Sequence, residues 1–295
     1  METLDMTDNT DIFPAMETSE HRTMENLGPK IIMLGTGSAA VTRCYNTCFL
    51  LLDRGEALLV DAGGGNGILP RLEQAGHPAS GIRNMFLTHA HTDHILGAVW
   101  VTRIVMQEML KGRYEGTFNI FGHDKSLMVL STICRMTLQK KYSDLIGEKV
   151  LLHEVHDGEI VSAGNFRLEC FDILSTKEKQ FGFRTVLSDG QSLVCLGDEP
   201  FNPADRKYAE SADWMMCEAF CLYADRDRFK PYEKNHSTAL DAGRLAQELN
   251  VRNLVLYHTE DTALEQRKSR YTEEAAKCFS GRIFVPDDLE TIDLG

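Results

Sequence analysis

The segment Thr88-His89-Ala90-His91-Thr92-Asp93-His94 places four metal-capable side chains within six residues. It follows the apolar run Met85–Thr88 and precedes the mainly apolar stretch 93–110. The spacing predicts a loop held between a buried strand and a helix. In extended chain, residues two apart point the same way, so His89 and His91 can grip one metal together. Asp93 and His94 come at the helix start and can face a neighbouring position. Neutral imidazole and carboxylate are the usual zinc ligands where positions stay open for water. Residue type, spacing and strand-to-helix context agree, so the segment reads as a metal centre rather than a chance polar loop.

The elements that must position this loop follow from the hydrophobic pattern. Ile31–Leu34, Phe49–Leu52 and Leu58–Val60 are short apolar runs, the last two joined by Asp53-Arg54-Gly55 as an antiparallel hairpin. Asp61 and the glycines 63–65 precede a helix expected from about Ile68 to Ala75. Helices are expected over 93–110 and 124–140. Strands are expected at Val150–Val155, Phe166–Leu174, Phe181–Leu187, Ser192–Leu196, Trp214–Cys217 and Leu254–Tyr257. Amphipathic helices are expected near 238–249 and 263–278, and no repeat of fixed period is visible. Strands and helices mixed in this way suggest a layered sandwich with helices outside.

Taken singly, Gly197-Asp198 after a strand is more often a turn. His258 alone carries equally little weight, and His236 reads locally as helix entry with Ser237 or Thr238 as N-cap. Order and spacing relative to the histidine loop change that reading. H-x-H-x-D-H after a strand resembles the signature of the metallo-β-lactamase superfamily. Asp61-Ala62-Gly63 resembles its early D-x-G turn, Gly197-Asp198 its strand-end G-D, and His258 its late histidine. These landmarks span residues 31–258. Leu34-Gly35-Thr36-Gly37-Ser38-Ala39 with Asn46, Cys217-Glu218-Ala219 and His236-Ser237-Thr238-Ala239 narrow the resemblance to the ribonuclease Z-like group.

The resemblance implies an α/β (α+β) chain folded as a four-layer αββα sandwich, and a zinc-dependent hydrolase, most readily a phosphodiesterase. The first metal position would take His89, His91 and Asp198, the second Asp93, His94, Asp198 and His258. Asp93 would orient the attacking water, His236 would act as general acid, and Glu218 would keep that imidazole protonated. One or two Zn2+ per chain are expected, with Mn2+ or Fe2+ as substitutes. The expected partner is a small phosphodiester or short nucleic acid, and the group suggests a homodimer. A lactonase or thioesterase on the same fold is the rival enzyme.

Two departures from the group stand out. Its members carry a further histidine ligand at the end of the strand before the Gly-aromatic strand, here Gly182-Phe183. No histidine lies between His156 and His236, and Leu174 is the expected vacant position. That loss also raises a non-catalytic metal-binding protein as an alternative. Second, residues 175–197 leave no room for the protruding tRNA-binding arm of tRNA-processing members.

Composition sets outer limits. Of 295 residues, 43% are hydrophobic and 25% charged, as in ordinary globular proteins. The net charge is −13. Residues 1–28 hold seven acids and one base, contributing −6, so the remainder carries −7. An acidic body disfavours a broad grip on nucleic acid. The eight cysteines form no C-x-x-C and read as reduced thiols in a cytoplasmic protein. No signal peptide or membrane span is expected. Residues 1–28 are expected as a flexible tail, with Met24 a candidate start, and residues 29–295 as a single domain.

Overall fold

The computed structural model describes residues 28–295. The expected tail therefore lies almost wholly outside the described residues. Two seven-stranded sheets form the centre of the molecule. The first contains β1 (Lys30–Gly35), β2 (Cys48–Asp53), β3 (Glu56–Val60), β4 (Asn84–Leu87), β5 (Phe118–Gly122) and β6 (Val150–Glu154). The second contains β7 (Ile160–Ala163), β8 (Phe166–Asp172), β9 (Phe181–Val186), β10 (Ser192–Cys195), β11 (Trp214–Glu218), β12 (Asn253–Tyr257) and β13 (Arg282–Phe284). The last strand, β14 (Thr291–Asp293), returns to pair antiparallel with β1.

Helices cover both outer faces. Against the first sheet lie α1 (Ile68–Gln74), α2 (Thr92–Leu110), α3 (Asp124–Thr137) and α4 (Lys140–Ser143). Among the elements that follow β10, α5 (Arg206–Ala209), α7 (Ala239–Glu248) and α8 (Leu264–Ala275) pack on the second sheet, while α6 (Arg226–Phe229) is a single turn between β11 and α7. The result is the αββα sandwich.

Strand β2 shows why its sequence is apolar without alternation. Phe49 and Leu51 face the second sheet, whereas Cys48, Leu50 and Leu52 face the helices. A strand covered on both faces needs a continuous apolar run. Between the sheets Phe86 meets Phe183 edge-on at 5.1 Å, and Trp214 is fully buried.

Each sheet is antiparallel in one half and parallel in the other. β3–β6 run parallel, as do β10–β13. The carboxyl ends of β3, β4, β10, β11 and β12 lead to Asp61, the histidine loop, Asp198, Glu218 and His258. Open α/β sheets bind ligands just beyond such strand ends.

The structure corrects some element bounds. The helix expected over 124–140 stops at Thr137, because Leu138 is extended (φ −94°, ψ 153°). The strand expected to reach Leu174 ends at Asp172. Among the described residues no helix is long and apolar enough to cross a membrane.

Candidate metal centre and comparisons

Asp61 directly follows β3, in the left-handed region (φ +52°), and is buried. Its carboxylate accepts from Thr88 N at 2.9 Å, Thr88 Oγ1 at 2.6 Å and His94 Nδ1 at 2.8 Å. One acid thus holds both ends of the histidine loop. It lies within ligand distance of His89 and His94, but its oxygens are already committed, so it orients ligands from behind.

The same logic fixes the other rings. Thr47 Oγ1 donates to Gly37 O at 3.0 Å and so offers a lone pair to His258 Nδ1, 3.2 Å away. His94 and His258 therefore turn their Nε2 atoms inward, as back-side acceptors do for metal-binding imidazoles. Asp198 Oδ2 lies 3.3 Å from His94 Nε2, 3.4 Å from His258 Nε2 and 3.7 Å from His89 Nε2. Asp93 Oδ2 is 3.3 Å from His94 Nε2. His91 Nδ1 lies 2.9 Å from His89 Nε2. The donors form two groups, His89–His91–Asp198 and Asp93–His94–His258, each with ligand atoms within 4.8 Å of one another.

The electrostatics suit a cation. Burial pushes His89 well below the ordinary imidazole value and His258 down to about 4, so both are neutral near pH 7, as metal ligation requires. Burial works against charge on Asp198 too, but His89, His258 and His94 outweigh it and hold its carboxyl well below the usual carboxylate range. On His94 burial opposes charge, and Asp93, Asp61 and Asp198 overcome it and raise the ring well above its ordinary value, so an ion bound there takes the place of a proton. His94 Nε2 is buried without a hydrogen-bond partner. An inward-facing orphan nitrogen among carboxylates fits a divalent ion.

His236 stands at the cavity wall. Its Nδ1 lies 2.9 Å from Asp198 O and 3.6 Å from Glu218 Oε2. Glu218, 1% exposed, accepts from the backbone N–H of Ser237 and of Phe220, and the Phe220 ring stacks on His236 at 5.0 Å. Burial resists charge on His236, but the hydrogen bond and charge of Glu218 outweigh it and raise its pKa. Thr238 caps α7 in a capping box with Asp241, which fixes the loop carrying His236. A cavity of about 400 Å³ opens over the centre, lined by His91, Asp93, Lys177, Glu199, His236 and His258 among others.

All eight expected residues, His89, His91, Asp93, His94, Asp198, Glu218, His236 and His258, therefore meet at one edge of the sandwich. Leu174 does not join them. It is 50% exposed with φ +57°, turned out of the sheet by a bond from its N–H to Asp172 Oδ1. The buried polar side chain that this loop brings to His89 and Asp198 is Gln180. Sequence reasoning missed Gln180, Lys177, Thr47 and the loop-holding role of Asp61. The early D-x-G turn marked Asp61 as a landmark without showing what its carboxylate holds.

Residues 29–278 match the family described as anti-Pycsar protein Apyc1. A ribonuclease Z of Thermobifida fusca is 26% identical, with 88% of this chain and 93% of that protein aligned. The metallo-β-lactamase-fold protein YhfI from Bacillus subtilis superposes with a TM-score of 0.72 at 20% identity, covering 90% of this chain and 99% of that one. The short form of human tRNase Z gives 0.69 at 20% identity, covering 90% and 99%. Superpositions at that identity establish the fold. With the family match over most of its length, the chain is a ribonuclease Z-like metallo-hydrolase of the metallo-β-lactamase fold and belongs to the family described as anti-Pycsar protein Apyc1.

Proposed function

We propose that the chain hydrolyses small phosphodiesters with one or two divalent ions, most readily Zn2+, with Mn2+ or Fe2+ as substitutes. The observation that carries this reading is Asp198 Oδ2 lying 3.3–3.7 Å from three imidazole nitrogens, with His236 held beside them. His89, His91 and Asp198 would hold one ion, and Asp93, His94, Asp198 and His258 the other. Such ions supply Lewis-acid stabilisation of charge on phosphoryl oxygens. Asp93 accepts a hydrogen bond from the attacking water and orients it. His236 carries its Nδ1 hydrogen towards Asp198 O and Glu218, leaving Nε2 to hold the proton for the departing alkoxide. Glu218 keeps that imidazole charged, which a general acid needs.

Small substrates are favoured on two grounds. The cavity, about 400 Å³, is of small-molecule size. The β8-to-β9 connection is eight residues (173–180) and the β9-to-β10 connection five (187–191), so neither carries an arm. Short nucleic acids remain within the proposed class, and a structured tRNA does not. All eight cysteines are free, which supports a reducing, cytoplasmic setting. A homodimer is part of the proposal, supported by Trp100, Met128 and Met136 exposed on the adjacent helices α2 and α3. Light scattering should give the mass of two chains, and a monomer at micromolar concentration would refute that part.

Turnover of bis-p-nitrophenyl phosphate, a lactone and a pre-tRNA by the same preparation tests the reading. The phosphodiester should be preferred, and His236→Ala should lower kcat by ~10²–10⁴-fold. Preference for the lactone, or efficient cleavage of the pre-tRNA 3′ end at physiological salt, would overturn it.

A further inference from the structure

The β8-to-β9 loop has no imidazole to offer the His89–His91 side of the centre, and what it delivers is Gln180. That side chain is 1% exposed, although glutamine is mostly a surface residue. Its orientation is set by a group that can only donate. Asp198 N–H lies 3.2 Å from one carboxamide atom, which must be the oxygen. The amide nitrogen then donates to Asp198 Oδ1 and lies 2.8 Å from His89 Nδ1. Gly197 admits this packing, since a Cβ there would stand 2.5 Å from Gln180 Oε1 on a backbone at φ +75°.

Two consequences follow for the metal positions. With Oδ1 held, Asp198 aims Oδ2 at His94 and His258. His89 Nδ1, meanwhile, has two neighbours with opposite demands. The Thr88 hydroxyl, 2.9 Å away, gives its hydrogen to Asp61 and so offers a lone pair. The Gln180 amide offers a hydrogen. His89 presents a free Nε2 to a metal only when Nδ1 carries the hydrogen. That form bonds to Thr88 and leaves a buried Gln180 N–H without an acceptor, which is costly.

We infer that Gln180 is a positioning residue that makes the two metal positions unequal, favouring Asp93–His94–Asp198–His258 and penalising His89–His91. The inference rests on the metallo-hydrolase reading and deepens it. Metal-free protein should be titrated with Zn2+ against a chromophoric chelator, and with Co2+ to read coordination from visible absorption. Wild type should take up two equivalents ~10–100-fold apart in affinity, the span typical of losses around a metal ligand. His91→Ala should abolish the weaker one. Gln180→Glu turns a donor into an acceptor for His89 Nδ1–H and, like Gln180→Met, releases Asp198 Oδ1. It should tighten the weaker equivalent by at least ~10-fold and alter its Co2+ spectrum, a gain that no folding defect produces. Gln180→Met frees Asp198 and should loosen the tighter equivalent. Equal affinities in wild type, an unchanged gap in Gln180→Glu, or an unchanged tight equivalent in Gln180→Met overturns the proposal and leaves the metal centre standing. Absence of Zn2+ binding in wild type overturns the metallo-hydrolase reading and this one together.

Discussion

Asp61 serves three donors from two parts of the histidine loop, so its removal should be felt at the metal rather than at a surface. Asp61→Ala leaves the Thr88 N–H, the Thr88 hydroxyl and His94 Nδ1 without their acceptor. Metal affinity should fall by ~10–100-fold, as for other groups that orient metal ligands. Competition with a chelator measures it, and parental affinity would mean that the loop holds its own shape. Residues at this scale differed in how well the chain announced them. His89, His91, Asp93 and His94 sit within one short segment, and Asp198 and His258 come within three residues of apolar strands, so local pattern exposed them. Gln180 and Thr47 reach the centre only because two sheets meet. Nothing within a few positions of either residue encodes that meeting. Leu174 misled because strand alternation was extended past Asp172, where the backbone leaves the sheet.

The N-terminal half of helix α2 is locked to the turn after β3. Gly97 N donates to Gly63 O at 2.8 Å, and Ala62 N donates to His94 O at 3.0 Å. A Cβ at Gly97 would lie 1.8 Å from Ala62 O, a contact no rotamer change relieves. Gly97→Ala should therefore lower unfolding stability by at least ~1–3 kcal/mol, the usual cost of overpacking. It should also shift Asp93 and His94 enough to lower bound metal. Denaturant unfolding and metal analysis test both, and a variant of parental stability would show that α2 can slide. Buried elements with long apolar runs, such as β2, β4, β12 and α2, were legible in the sequence. Strands β5, β7, β13 and β14 were not. Each has at most two consecutive apolar residues, and β7, β13 and β14 lie at sheet edges, partly in solvent. Their identity as strands comes from the neighbour they pair with.

For the whole molecule, we propose that residues 29–295 unfold as one cooperative unit, because the inter-sheet core joins strands from β1 to β14. Metal should stabilise that unit by mass action. At free Zn2+ ~100 times Kd the gain is ~2.7 kcal/mol. Chelation should thus lower Tm by about 5 °C for a unit of this size. Scanning calorimetry with and without chelator tests this. Two separated transitions, or a Tm indifferent to chelation, would refute the proposal. The layered architecture itself was legible in the sequence, since the alternation of apolar strands and amphipathic helices required cover on both faces.

Strand β14 pairs Ile292 with Ile31, about 260 positions earlier in the chain. Just before it, Asp288 accepts from Thr36 N at 3.1 Å, Thr36 Oγ1 at 2.8 Å and Tyr45 N at 2.7 Å. The first of the described strands is therefore covered on its outer side by the last of them. At synthesis rates of ~5–20 residues per second, that edge stays bare for roughly 13–50 s on the ribosome. A bare strand edge is a template for pairing with another nascent chain. Slowing translation between β1 and β14 should therefore lower the soluble yield of this protein, and an unchanged yield would show that the bare edge is harmless.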